Sequence, residues 1–244
     1  MDVRVISIGT LANNPLWNER GTPGTPGIPG TTGTTGTTGN PRKPRVGHAT
    51  TTAIKTGNAI LLVDPSLPPE LMDARLGERW GLRLADITDV FLTSFDPDRR
   101  RTLHGVEHAN WLMHEPEIQS ASEAIQDEIR RAENDPAVVN ILEEHLGLLA
   151  NFTSPGDHPF PSVDLFPIPG FTPGSCGLLL PLPKQTVLIA GDTVATVEHL
   201  QKGSVLQNCA NIEVAKESFM ECVEIADIII PGRDNIILNA ARSQ

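Results

Sequence analysis

Three short polar stretches, each directly behind an apolar run, carry side chains with chemistry to offer. Val90-Phe91-Leu92 leads into Thr93-Ser94-Phe95-Asp96-Pro97-Asp98-Arg99; Val187-Leu188-Ile189-Ala190 leads into Gly191-Asp192-Thr193; Ile228-Ile229-Ile230 leads into Pro231-Gly232-Arg233-Asp234. Carboxylates hold cations or pair with guanidiniums in bidentate contacts. Arginine stays protonated and has no lone pair, so it grips anions and cannot ligate a metal. Ser94 and Ser175 have no histidine base beside them in the sequence, and no G-x-S-x-G elbow occurs, which argues against a serine nucleophile. His104 and His108 stand four apart, with Glu107 beside them, and are expected to share a helix face. His48 and His199 stand alone, and an isolated histidine is more often hydrogen-bonded structure than ligand.

The place and spacing of residues 93–99 resemble the metal-binding loop T-H-x-H-x-D-H of the metallo-β-lactamase superfamily. Four further blocks resemble that family in the same order. Ala59-Ile60-Leu61-Leu62-Val63-Asp64-Pro65-Ser66 resembles the strand ending in V-D-x-G. Pro169-Gly170-Phe171-Thr172-Pro173-Gly174-Ser175 resembles P-G-H-T-P-G-S. Val187 to Thr193 resembles the strand and G-D turn of the bridging aspartate, and Ala226 to Asp234 resembles A-D-x-x-x-P-G-H. The resemblance implies an α/β fold, a four-layer αβ/βα sandwich of the metallo-β-lactamase type, with its site where loops of the two sheets meet.

It also implies a rewritten site. Ser94, Asp96, Arg99, Phe171 and Arg233 stand where the family has ligand histidines, while Asp98 and Asp192 match its ligand aspartates. A di-metal hydrolase needs imidazoles and carboxylates that hold zinc or iron and acidify a bridging water. Serine, phenylalanine and arginine do not replace imidazole, so no cofactor is expected and the chain reads as a non-catalytic homologue, or pseudoenzyme. Asp96, Asp98 and Asp192 would converge there, with Arg99 and Arg233 as the counter-charges. Such a cluster is a buried salt-bridge network, or a pocket whose arginines take a small anionic ligand or a protein partner. One alternative is a hydrolase of the superfamily with a remodelled mononuclear site of zinc, iron or manganese on Asp96, Asp98, Asp192 and His104. The rim of the pocket would carry His48, Cys176 and His199.

Composition narrows the classes. The chain has 244 residues, 39% hydrophobic, enough for a sizeable core in one domain spanning 1–244. Its formal net charge is -11 with 19 Lys and Arg, a poor basis for extended nucleic-acid binding, although Arg99-Arg100-Arg101 form a local basic run. No apolar run approaches the ~18 residues of a membrane span. The start, Met1-Asp2-Val3-Arg4-Val5-Ile6, lacks the features of a signal peptide, so a cytoplasmic location is the default expectation. Cys176, Cys209 and Cys222 are odd in number and lack C-x-x-C spacing, against a disulfide framework or a structural zinc. Cys176 follows the Pro-Gly turn, where it either borders the pocket or fills the core as a small strand residue.

The elements that must position these residues alternate in two similar halves. Strands are expected at 3–8, 46–56, 59–64, 86–92, 111–113, 163–168, 177–182, 186–190 and 228–230, with 46–56 and 59–64 closing a hairpin at Gly57-Asn58. Helices are expected from Pro68 to Leu76, Ile118 to Glu133, Asp135-Pro136 onward, and Ile212 to Ile225. The two middle helices stand in place of a long loop and are expected over the pocket mouth. From Gly21 to Gly39 every third residue is glycine, within a Gly/Thr/Pro-rich, collagen-like insertion spanning 21–44. It reads as a surface insertion without packed structure; a structural or assembly role, with oligomerisation through this strip, is the third functional class.

Overall fold

In the computed structural model of the chain, the described residues are 1–12, 14, 16 and 47–240. The Gly-rich insertion at 21–44 and the first residue of the expected strand 46–56 lie outside them.

The first sheet has the spatial order β1 (Asp2–Ser7), β2 (Thr51–Thr56), β3 (Ala59–Val63), β4 (Asp89–Leu92), β5 (Asn110–Met113). β1, β2 and β3 are antiparallel, and β3, β4 and β5 run parallel. The hairpin pairs Thr56 with Ala59 and turns through Gly57 at φ 54°, a left-handed angle that suits glycine. The second sheet runs β10 (Ile237–Leu238), β9 (Ile228–Pro231), β8 (Gln185–Gly191), β7 (Cys176–Leu182), β6 (Asp164–Pro167), with β8 and β9 parallel.

Alternation along the strands builds the layers. Leu61, Val63 and Phe91 meet Leu178, Val187, Ile189 and Ile230 between the sheets. Their neighbours Leu62, Val90 and Leu92 face outward onto α1 (Pro69–Trp80), through Met72 and Leu76. Leu188, Ala190 and Ile229 face outward onto α5 (Ile212–Ile225), through Ala215, Phe219 and Cys222. Both faces of each sheet are covered, so the inner strands read as continuous apolar runs. The result is the four-layer αβ/βα sandwich.

The helices depart from the sequence reading at their ends and in one placement. α1 runs on to Trp80 and stops at Gly81, φ 67°, whose N–H reaches Gly77 O and Leu76 O. Gly77-Glu78-Arg79 interrupt the apolar period between Leu76 and Trp80, so periodicity misses the last turn. α2 (Glu115–Arg131) starts three residues before Ile118, with Pro116 in its first turn, and α3 (Pro136–Leu149) is capped by Asp135, which accepts from the N–H groups of Ala137 and Val138. α2 and α3 do not cover the cleft over residues 98, 192 and 233. They pack against the first sheet through Ile118, Ala121, Ile125, Leu148 and Leu149, and border a separate groove. The short α4 (Val197–Lys202) and the two-residue β10 lack an apolar period long enough to read. No helix among the described residues is long and apolar enough to cross a membrane.

Candidate functional site

Two parallel strand pairs, β3/β4 and β8/β9, end side by side, and each strand releases one charged residue or loop at its carboxyl end. Val63 is followed by Asp64, Leu92 by the loop 93–99, Gly191 by Asp192, and Pro231 by Gly232-Arg233. Carboxyl ends of parallel strands are where α/β folds place ligands. The sheets are stitched there by Cys176 N donating to Thr93 O at 3.0 Å and Thr50 N donating to Gly232 O at 2.7 Å.

The charged side chains form one continuous chain, Asp64–Arg99–Asp192–Arg233–Asp98, with alternating sign. Asp64 adopts φ 50°, rare for a non-glycine residue. Its Oδ1 accepts from Thr93 N at 2.9 Å; its Oδ2 accepts from Thr93 Oγ1 at 2.8 Å and Arg99 Nη1 at 2.5 Å. Arg99 ends the 3-10 turn Pro97–Arg99 and is fully buried. Its Nη2 lies 2.7 Å from Asp192 Oδ2, an ion-pair contact rather than an aligned hydrogen bond, and its Nε meets no acceptor. Arg233 holds the other side of Asp192: Nε donates to Oδ1 at 2.9 Å and Nη2 to Oδ2 at 2.7 Å. Arg233 Nη1 donates to Asp98 Oδ2, and its Nη2 reaches Asp98 Oδ1 at 3.3 Å. Exposure rises along the chain, from buried Asp64 to the Asp98 side chain at 22%.

Two glycines make the approach possible. A Cβ at Gly232 would lie 2.2 Å from Asp192 Oδ1, and Gly191 turns at φ 52° against Thr93, where a Cβ would lie 2.7 Å from Oγ1. Neither position has room for a side chain.

Electrostatics follow from this order. Burial alone would raise the Asp192 carboxyl; Arg99 and then Arg233 outweigh it and hold it at about 2. Burial would lower both guanidiniums, but Asp192 with Asp64 holds Arg99 well above its ordinary value, and Asp192 holds Arg233 there too. Burial pushes Asp64 upward against Arg99 and Thr93; each of its contacts is one that it accepts, which is how an ionised carboxylate is held. Asp96 stands apart. It is half-buried, its side chain forms no hydrogen bond or ion pair among the described residues, and burial pushes its carboxyl up to about 6, Arg99 opposing and Asp192 and Asp98 adding to the rise.

These residues do not fit the family's di-metal centre. Both oxygens of Asp192 face guanidiniums, Asp98 is held by Arg233, and Phe171 packs its ring with Ala195 and Leu206. Among the described residues no group of three or more His, Cys, Asp or Glu is arranged to hold a metal.

Other sequence-derived site residues are dispersed. His104 is exposed, 3.8 Å from Glu107, and does not join the aspartates; the stretch is a 3-10 turn at Leu103–Gly105 rather than a helix, so His104 and His108 share no helix face. His48 does not line the cleft; it pairs with Thr10, and its Nε2 lies 3.1 Å from Ile8 O. Cys176 belongs to the core between the sheets, where burial pushes its thiol up to about 12. His199 does line the cleft, with Nδ1 2.9 Å from Thr196 Oγ1 and burial lowering its imidazole. Ser94 is buried and its Oγ has no partner, in a space beside Ser175 and Asp192 too tight for a water molecule. Ser175 Oγ donates to Ile168 O at 2.8 Å, a backbone staple.

Asp64 and Glu117 were missed. Asp64 was visible in its motif but its partnership with Arg99 was not. Glu117, 2% exposed on the first turn of α2, accepts from Phe95 N at 2.9 Å and Thr172 Oγ1 at 2.6 Å, joining the loops that carry Asp96 and Phe171. Burial raises its carboxyl against the pull of those donors. Nothing in the sequence distinguishes it from its exposed neighbours.

Above the charge chain opens a cleft of about 760 Å³. Its lining includes the charged residues Asp96, Asp98, Asp192, Arg101 and Arg233 and the apolar residues Leu11, Phe171, Val205 and Leu206.

A family model described as the metallo-beta-lactamase superfamily matches residues 44–220. Among solved structures, a Thermotoga maritima protein with a provisional metallo-beta-lactamase assignment is similar at 17% identity and a TM-score of 0.62, over 97% of this chain and 98% of that one. AidC, a dizinc quorum-quenching lactonase, is similar at 14% identity and a TM-score of 0.58, over 76% of this chain and 72% of that one. An N-acyl homoserine lactone hydrolase, solved with its product at the catalytic metal centre, is similar at 16% identity and a TM-score of 0.54, over 80% and 85%. At such identities the likeness is one of fold. No curated protein sequence matches the chain.

Proposed function

The chain belongs to the metallo-β-lactamase superfamily, and from that premise we propose that it is a non-catalytic homologue, a pseudoenzyme whose two arginines stand where its relatives keep their cationic centre. The observation that carries this reading is Arg99, fully buried between Asp64 and Asp192. A guanidinium supplies positive charge to the retained aspartates, but it has no vacant coordination site and cannot acidify a bound water. The structural neighbour AidC is a dizinc lactonase, whereas Arg99, Arg233 and Phe171 stand in this chain at positions where the family motifs have ligand histidines. Ser94 offers no substitute, because its hydroxyl has no base.

What the cluster does supply is registration. It ties loops of both sheets together, and pairs of this kind are costly to break even where their net contribution is small. The cleft above remains as a binding site on a rigid floor.

The reading is tested by assaying purified protein on ester, lactone, thioester and phosphodiester substrates, with zinc, iron or manganese added and with chelator. No hydrolysis above the buffer rate is expected in any condition. Turnover that appears with one metal and is lost on chelation would overturn it.

A further inference from the structure

The charge chain leaves one acid without a partner. Asp98 and Asp192 are held by Arg233, and Asp192 by Arg99 as well. Asp96 lines the same cleft, and its carboxylate has neither hydrogen bond nor ion pair among the described residues. An unpaired carboxylate held partly out of water is unfavourable, and the favourable partner is a cation that also donates hydrogen bonds. Among the described residues, the formal charges lining the cleft are Asp96, Asp98 and Asp192 against Arg101 and Arg233, one negative charge in excess. Arg101 donates from Nη2 to Gly47 O at 2.9 Å and forms no ion pair with these carboxylates among the described residues.

The arginines expected from sequence to receive an anion do not offer their donors. Arg99 is fully buried, and Arg233 has its Nε and both terminal nitrogens on Asp98 and Asp192. An anion would have to displace one of those carboxylates. The same cleft has apolar lining, with Phe171 and Leu206 in one cluster and Leu11 packed against it. The volume, about 760 Å³, lies in the range of small-molecule sites.

We propose that this cleft binds a small molecule carrying an ammonium or amidinium group on an apolar body, with the cation on Asp96 and the body against Phe171 and Leu206. The inference rests on the reading of Arg99 and Arg233 as locked by the aspartates, and deepens it by naming the ligand class.

The test is calorimetric titration of the full chain, in chelator, with n-hexylammonium, hexan-1-ol and hexanoate, alongside Asp96→Asn. Asp96 makes no contact that the fold needs, so the variant is expected to fold; amide NMR spectra of both proteins check this. The expected result is saturable binding of one hexylammonium, no binding of hexanoate, and at least a tenfold loss of amine affinity in Asp96→Asn. Absence of saturable amine binding, equal or tighter hexanoate binding, or an amine affinity unchanged in Asp96→Asn would each overturn the proposal. Chelator keeps the two readings separable: failure here leaves the non-catalytic reading standing, and metal-dependent turnover would remove that reading without altering this titration.

Discussion

Arg99 Nη2 lies 2.7 Å from Asp192 Oδ2, and neither side chain has any exposed surface. The two residues come from different sheets, at the ends of β4 and β8, so this contact holds the halves of the sandwich in register.

Removing one partner leaves a buried charge uncompensated. Arg99→Met is expected to destabilise the fold by about 3–5 kcal/mol, and Arg99→Met with Asp192→Asn to cost less than the sum of the single changes. Urea unfolding of the four proteins measures the cycle. Strict additivity would mean that the contact carries no coupling.

Asp96 sets a pH dependence of defined sign. Its folded carboxyl is near 6 against an ordinary 3.8, so its contribution is full below about 4 and is lost as pH rises through 6. Asp96→Asn should therefore stabilise the protein at pH 7, on the order of 2 kcal/mol, and make little difference at pH 4. Unfolding curves at the two pH values decide it; a variant less stable than the parent at pH 7 would contradict the assignment.

Asp192 acts in the opposite direction. Its carboxyl sits at about 2 rather than 3.8, so the stability it lends is present above about 4 and is lost as pH falls through 2. The loss from this group is on the order of 2 kcal/mol. Acid titration of stability should show that limb in the parent and lack it in Asp192→Asn.

Gly232 is a steric requirement of the same contact. A methyl group there would meet Asp192 Oδ1 at 2.2 Å, so Gly232→Ala should force Asp192 off Arg233 and cost about 1–3 kcal/mol or more. A melting temperature equal to that of the parent would show that the loop has slack the structure does not display.

The sandwich was legible because its strands are buried on both faces and read as unbroken apolar runs, each followed by its functional residue. Asp192 and Arg233 lie within three residues of those runs and Asp98 and Arg99 at the end of a seven-residue loop behind Leu92, so their placement followed once the strands were placed. The pairing of Arg99 with Asp64 was not legible: it depends on the left-handed backbone at Asp64, which turns the carboxylate toward a residue 35 positions on. His104 was misplaced because its i, i+4 spacing with His108 means something only on a helix, and the chain makes a 3-10 turn there. α2 and α3 were rightly read as helices but assigned to the wrong surface, since periodicity names the buried face and not its partner.

On the proposed reading, two guanidiniums take the cationic role at this site. Elemental analysis of the purified chain, followed by titration with zinc, iron and manganese, tests it most directly. The expected result is no stoichiometric metal, no saturable uptake, and the same melting temperature with metal or chelator. One or more tightly held ions per chain, with a melting temperature that falls when they are removed, would contradict it.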